Sequence, residues 1–158
     1  MNQVELKKMA QSCIKKVQES INNSTFHEEP YKHVVIDNFF PNNFSKGLLD
    51  SFPDIKSPSW ERTNDTDIEV KLRTKWTSEF DIPDGIIDCV RIMNSSLFLN
   101  AMSEVFGIKK LMPDPYFSGG GLNVTVSGGL LDVHVDGNYH DASGLNRRIN
   151  VILYLNPG

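Results

Sequence analysis

Residues 148–155, "RINVILYL", constrain the fold more than any other stretch of the chain. Val151 to Leu155 are apolar at consecutive positions. Successive side chains of a strand point to opposite faces, so a strand built from this run is apolar on both. Such a strand is central in its sheet and needs a hydrogen-bonded neighbour on each edge. Two further strand candidates come just before it, "LNVTV" at 122–126 and "LLDVHVD" at 130–136, joined by glycine-containing turns. Three or four late strands close neither a sandwich nor a barrel. The expectation is that a C-terminal portion or a partner chain completes the β core.

Earlier in the chain the period changes. Val4, Met9, Cys13, Ile14, Val17 and Ile21 fall mostly at helical spacings and predict an amphipathic helix over 3–22. Val34 to Ile36 read as a strand, and Pro41 opens a short helix carrying Phe44, Leu48 and Phe52 on one stripe. Residues 53–67 read as a polar loop and 68–76 as an alternating strand. Residues 82–107 carry the longest helical pattern, broken near 94–96 and stopped by Gly107. Helices early and strands late predict an α+β protein, with N-terminal helices packed on an antiparallel β core. The 158 residues are enough for one domain. We divide it into a helical and mixed support region, 1–112, and the first core strands, 113–158.

The net charge of −4 is mild, and no basic run is long enough for a nucleic-acid patch. Nucleic acid is therefore not an expected partner. The N-terminus lacks an apolar leader-like stretch, and no apolar run approaches membrane-spanning length. Cys13 and Cys89 have neither redox-motif nor zinc-like spacing and read as reduced thiols. A cytoplasmic location follows as the expectation.

The chemistry concentrates in "LLDVHVDGNYH", residues 130–140. On a strand, Asp132, His134 and Asp136 share one face, and Leu131, Val133 and Val135 the other. An imidazole and a carboxylate two residues apart project side by side. They offer one nitrogen and one oxygen donor to the same ion. With a second histidine from elsewhere, they make the two-histidine, one-carboxylate facial triad of non-haem Fe(II) oxygenases. His134 and Asp136 are the candidate metal ligands and catalytic residues. The competing reading is a surface ion pair.

The surroundings sharpen this. "SGG" precedes the ligand strand, His-x-Asp lies at its end, and "RRINVILYLNP" follows a polar turn. In that order these resemble the 2-oxoglutarate- and Fe(II)-dependent oxygenases, in particular the prolyl 4-hydroxylase-like branch. The resemblance is specific from 119 to 158, about a quarter of the chain. It extends less specifically to "HVVIDNFFPNNFSKGLLDSFP". It implies a double-stranded β-helix, or jelly roll, whose core is incomplete at the C-terminus here. It also implies an Fe(II) centre, 2-oxoglutarate as cosubstrate, ascorbate as supporting reductant, and hydroxylation of a C–H bond in a small-molecule or peptidyl substrate.

Carried over by position, His134 and Asp136 are the first two iron ligands. Tyr154 matches a tyrosine that some members place on the distal carboxylate of 2-oxoglutarate. Arg148 and Asn150 share its strand face by period two. Asn123, with Thr125, stands where some members carry a tyrosine. The family's distal histidine and the basic residue that pairs with 2-oxoglutarate have no counterpart after His140. His140 reads as a surface-loop residue, and His27 and His33 as structural or exposed. Asp132 reads as a solvent or supporting group. Of the adjacent Arg147 and Arg148, one is expected to meet solvent or a loop carboxylate. "SGGG" lacks the Lys-Ser/Thr of a phosphate loop and reads as a flexible turn or active-site lip. Two other classes stay open: a non-catalytic jelly-roll module that keeps His-x-Asp, and a cupin-like metal protein. The usual cupin His-x-His with a following Glu is absent.

Overall fold

The computed structural model describes residues 1–117 and 120–156. Among them are four α-helices and short antiparallel sheets, a mixed α+β arrangement with no closed barrel. No helix among the described residues is long and apolar enough to cross a membrane. The chain forms two compact units.

The first unit comprises Met1–Asp50, Asp84–Pro113 and, among the described residues, 154–156. Its helices are α1 (Gln3–Ser20), α2 (Asn42–Asp50), α3 (Asp84–Met93) and α4 (Ser96–Phe106). Each start and stop has a local cause. The Asn2 side chain accepts from the amides of Val4 and Glu5, and Glu5 returns the bond to the Asn2 amide. This reciprocal cap satisfies amides that have no partner inside the helix. Ser95 separates α3 from α4. Its hydroxyl donates to the Ile92 carbonyl at 2.7 Å and accepts from the Phe98 amide at 3.2 Å. Gly107 ends α4 at φ +67°, a left-handed conformation in which glycine has no Cβ to clash.

Ala10, Cys13 and Val17 of α1 are buried, as are Ile86, Cys89 and Ile92 of α3 and Phe98, Ala101, Met102 and Val105 of α4. Phe40, 1% exposed, sits between Phe39 and Phe44 with ring centres 4.9 and 4.8 Å away. Cys13 and Cys89 are free thiols, and burial pushes them up to about 11 and about 12. They stay protonated and unreactive at neutral pH. A two-stranded ribbon, β1 (Phe26–His27) and β2 (His33–Val34), belongs to this unit. The strand expected over 34–36 is thus displaced and shorter.

The second unit comprises Ser51–Pro83 and Asp114–Leu153. Its centre is a hairpin of β3 (Trp60–Asp65) and β4 (Glu69–Thr74), paired in register from Trp60↔Thr74 to Asp65↔Glu69. The turn is held by Asp65, whose carboxylate accepts from the amides of Asp67 and Ile68. β3 corrects the reading of 53–67 as loop. Its composition is polar because both its faces are largely solvated, and pairing along all of β4 makes it a strand regardless.

The free edge of β4 takes β5 (Asn123–Val124) and β6 (Leu130–Leu131) in succession. The Thr74 amide donates to the Leu122 carbonyl at one end, and the Asp132 amide to the Ile68 carbonyl at the other. Residues 122–132 therefore follow β4 as one antiparallel path interrupted by a loop. Gly129 closes that loop, where a Cβ would lie 2.7 Å from the Val70 carbonyl oxygen and 2.6 Å from the Thr125 methyl.

Two strand expectations fail here, for one reason. Beyond Asp132 the path has run past the first residue of β4, where the hairpin turn leaves no ladder to pair with. His134 and Asp136 are therefore not on a strand, and Val133 and Val135 are 98% and 88% exposed. Residues 148–155 likewise pair with no strand among the described residues, and Val151 and Ile152 are exposed. A strand exists only with a partner, whatever its propensity.

Candidate metal centre

The chain leaves the sheet edge at Asp132 and immediately brings His134 and Asp136 together. The Asp132 carboxylate accepts from the Val133 amide at 2.7 Å, and the Asp132 carbonyl lies 2.7 Å from His134 Nδ1. A carbonyl oxygen can only accept, so the proton sits on Nδ1 and the lone pair of the neutral ring on Nε2. Nε2 faces Asp136 Oδ1 at 3.3 Å. The other oxygen, Oδ2, accepts from Asn150 Nδ2 at 3.2 Å and lies 3.7 Å from the Arg147 guanidinium. Backbone fixes one donor, and two cationic or amide groups fix the other.

The Asp132 carbonyl, followed by the charge of Asp136, raises the His134 pKa above its ordinary 6.5. A protonated Nε2 donates to Asp136. A neutral one presents a nitrogen donor beside a carboxylate oxygen. Two donors each about 2.1 Å from one ion, at a right angle, lie about 3.0 Å apart. The observed 3.3 Å is close to that bite. The donor types and their setting fit a metal such as Fe(II) or another imidazole-preferring ion.

The remaining expected site residues divide. Asn150 joins the pair, through Asp136. Arg148 is exposed and makes no ion pair among the described residues; its neighbour Arg147 makes the carboxylate contact instead. Asn123 is on β5 opposite Arg73, with its side chain toward the Gly121 carbonyl. Tyr154 belongs to the first unit and is 81% exposed. The shared strand face argued for Arg148, Asn150 and Tyr154 does not exist, because their segment is not a strand. The Asp132 contribution comes from its backbone carbonyl. Ser118 and Gly119 of the glycine-rich turn lie outside the described residues.

His140 lies in a loop, as expected, though its side chain is only 15% exposed. Its Nδ1 accepts from the Ser143 amide at 3.1 Å, which leaves the proton of the neutral ring on Nε2. That nitrogen lies 3.3 Å from Asp114 Oδ1, outside hydrogen-bonding alignment, and the Tyr116 ring centre is 5.6 Å away. Both nitrogens face local partners, so His140 is not a third donor to the pair. Among the described residues no three His, Cys, Asp or Glu side chains converge as a metal-holding group. His134 and Asp136 line neither of two surface grooves, of about 300 and 470 Å³, found elsewhere on the protein.

Arg147 is the one of the two adjacent arginines that meets a loop carboxylate, that of Asp136, and the sequence reading does not say which of the two does so. Its signal was the alternation of acidic 130–136 with basic 147–148, which favours pairing across the intervening turn. The structure closes that turn through a bridge between Tyr139 and Asn146 and a bond from the Arg147 amide to the Asn138 carbonyl. Comparison with protein-family models, curated proteins and solved structures found no match for this chain.

Proposed function

We propose that this chain carries part of the metal centre of an Fe(II)- and 2-oxoglutarate-dependent oxygenase that hydroxylates a C–H bond, in the manner of the prolyl 4-hydroxylase-like enzymes its sequence resembles. One observation carries the reading. The Asp132 carbonyl holds the His134 ring so that Nε2 meets Asp136 Oδ1 at 3.3 Å. Fe(II) with 2-oxoglutarate would supply the oxygen activation that inserts hydroxyl into substrate. The chain's own part is to hold two donors in one orientation. Asn150 and Arg147 keep Oδ2 occupied, so Oδ1 remains the available donor. The finer architecture belonging to this reading is a single jelly-roll domain, to whose core residues 122–132, paired along β4, would contribute. A partner chain or additional segment would bring the second histidine and the cosubstrate's basic partner. Arg148 and Asn123 remain the proposed cosubstrate contacts, and ascorbate the supporting reductant. The substrate class is a small molecule or a peptide, and the compartment cytoplasmic.

A second reading is a non-catalytic binding module that retains the pair. It is favoured by the two-donor count among the described residues. Anaerobic titration with Fe(II), then 2-oxoglutarate, followed by oxygen, separates the two. With the second histidine and the basic group supplied by that partner chain or segment, the oxygenase reading expects saturable Fe(II) binding lost in His134→Ala and Asp136→Ala, and succinate formation dependent on both residues. Fe(II) binding without succinate leaves the binding module. No Fe(II) binding by the wild-type chain sinks both.

A further inference from the structure

The β1–β2 ribbon sets His27 directly opposite His33. Directly opposed residues of an antiparallel pair have Cβ atoms about 4.5–5.5 Å apart, and their side chains leave the same face. The two rings follow that geometry, with centres 4.8 Å apart and planes 19° from parallel. Phe26 anchors the ribbon, its ring centre 5.7 Å from that of Phe106 on α4.

The two imidazoles are held differently. His33 Nδ1 lies 2.9 Å from the Tyr31 carbonyl, which can only accept. The proton is therefore on Nδ1, and Nε2 carries the lone pair. His27 is exposed, and no hydrogen bond or ion pair engages its ring among the described residues. One ring is oriented by backbone, as metal-bound histidines commonly are, and the other is free to adapt.

We propose that His27 and His33 form a second transition-metal site, independent of His134 and Asp136, that takes a divalent ion of imidazole preference such as Ni(II), Cu(II) or Zn(II). Two imidazoles on one ion, each bonded at about 2.1 Å, have ring centres about 4.6 Å apart at a right angle and about 5.3 Å apart at the tetrahedral angle. The observed 4.8 Å falls between these values. Near-parallel rings do not yet aim both nitrogens at one point. The ring centre lies close to the Cβ–Cγ axis, so rotation about χ2 redirects a nitrogen without moving the centre. His27 is the ring that turns. Water fills the remaining positions. Glu28 and Glu29 of the connecting loop add negative charge nearby in sequence, and Lys32 offsets one of them.

The test uses the full chain carrying His134→Ala and Asp136→Ala, so its result does not depend on the other site. Ni(II) is titrated above pH 7 while the histidine ring resonances are followed by NMR. The expected result is saturable binding that broadens His27 and His33 before His140. Binding should weaken at least ~10-fold in both His27→Gln and His33→Gln. No saturable binding, or weakening in only one or neither of the two variants, overturns the site.

Discussion

The helical first unit and the late segment of the second unit are both rich in apolar residues, yet they bury them very differently. Phe40 of the first is 1% exposed, and Val133 of the second is 98% exposed. A helix satisfies its own backbone and needs only a neighbouring apolar face to be buried. A strand satisfies nothing until another strand lies beside it. Residues 122–132 have β4 as their template and follow it. Residues 133–136 and 148–155 have no such template, and their β-branched side chains stay in water. The donor pair sits where the template ends, which leaves His134 and Asp136 placed by a carbonyl, an amide and a guanidinium instead of by a ladder.

The contrast can be tested by substitution, with two probes. Both tryptophans, Trp60 and Trp76, are in the second unit and report on it, while far-UV circular dichroism follows the helices. Phe40→Ala should have the largest effect, about 3–5 kcal/mol lost from the helical transition in urea. Gly129→Ala should come next. Its new methyl meets the Val70 carbonyl, and the tryptophan-reported transition should weaken by about 1–3 kcal/mol. Ser95→Ala removes the cap of α4 and should cost about 1 kcal/mol in the helical transition. Val133→Ser should change neither transition by more than about 0.5 kcal/mol. A large loss at Val133 would show that this side chain is buried, and the comparison would fail.

Legibility in the sequence followed the same division. Helix α1, the break at Ser95 and the stop at Gly107 were readable because caps and periodicity are local signals. β4 was readable from its alternation. β3 was not, because its partner lies across a turn and its own residues are polar. The strands expected at 133–136 and 148–155 were read from propensity, which does not state whether a partner is present. In the site, the proximity of His134 and Asp136 was legible from their spacing. The stated cause, a shared strand face, was not the one found. Asn150 was foreseen near the site, but as a cosubstrate contact and not as a donor to Asp136. That one of Arg147 and Arg148 meets a loop carboxylate is legible; that it is Arg147 depends on how residues 137–146 turn back and is not.

The pH behaviour of His134 follows from its surroundings. Its raised pKa means the protonated ring pairs with Asp136 at low pH, and that stabilisation is lost as pH rises through the folded value. A metal ion needs the same nitrogen without its proton. Metal affinity should therefore fall with decreasing pH, beginning above the range of an ordinary histidine.

The most direct measurement is anaerobic Fe(II) binding as a function of pH, in a chain carrying His27→Gln and His33→Gln, compared with the same chain carrying Asp136→Ala as well. The account predicts one saturable site that weakens as pH falls through a midpoint above 6.5, and that is lost with Asp136. Absence of binding, or binding indifferent to both pH and Asp136, would contradict it.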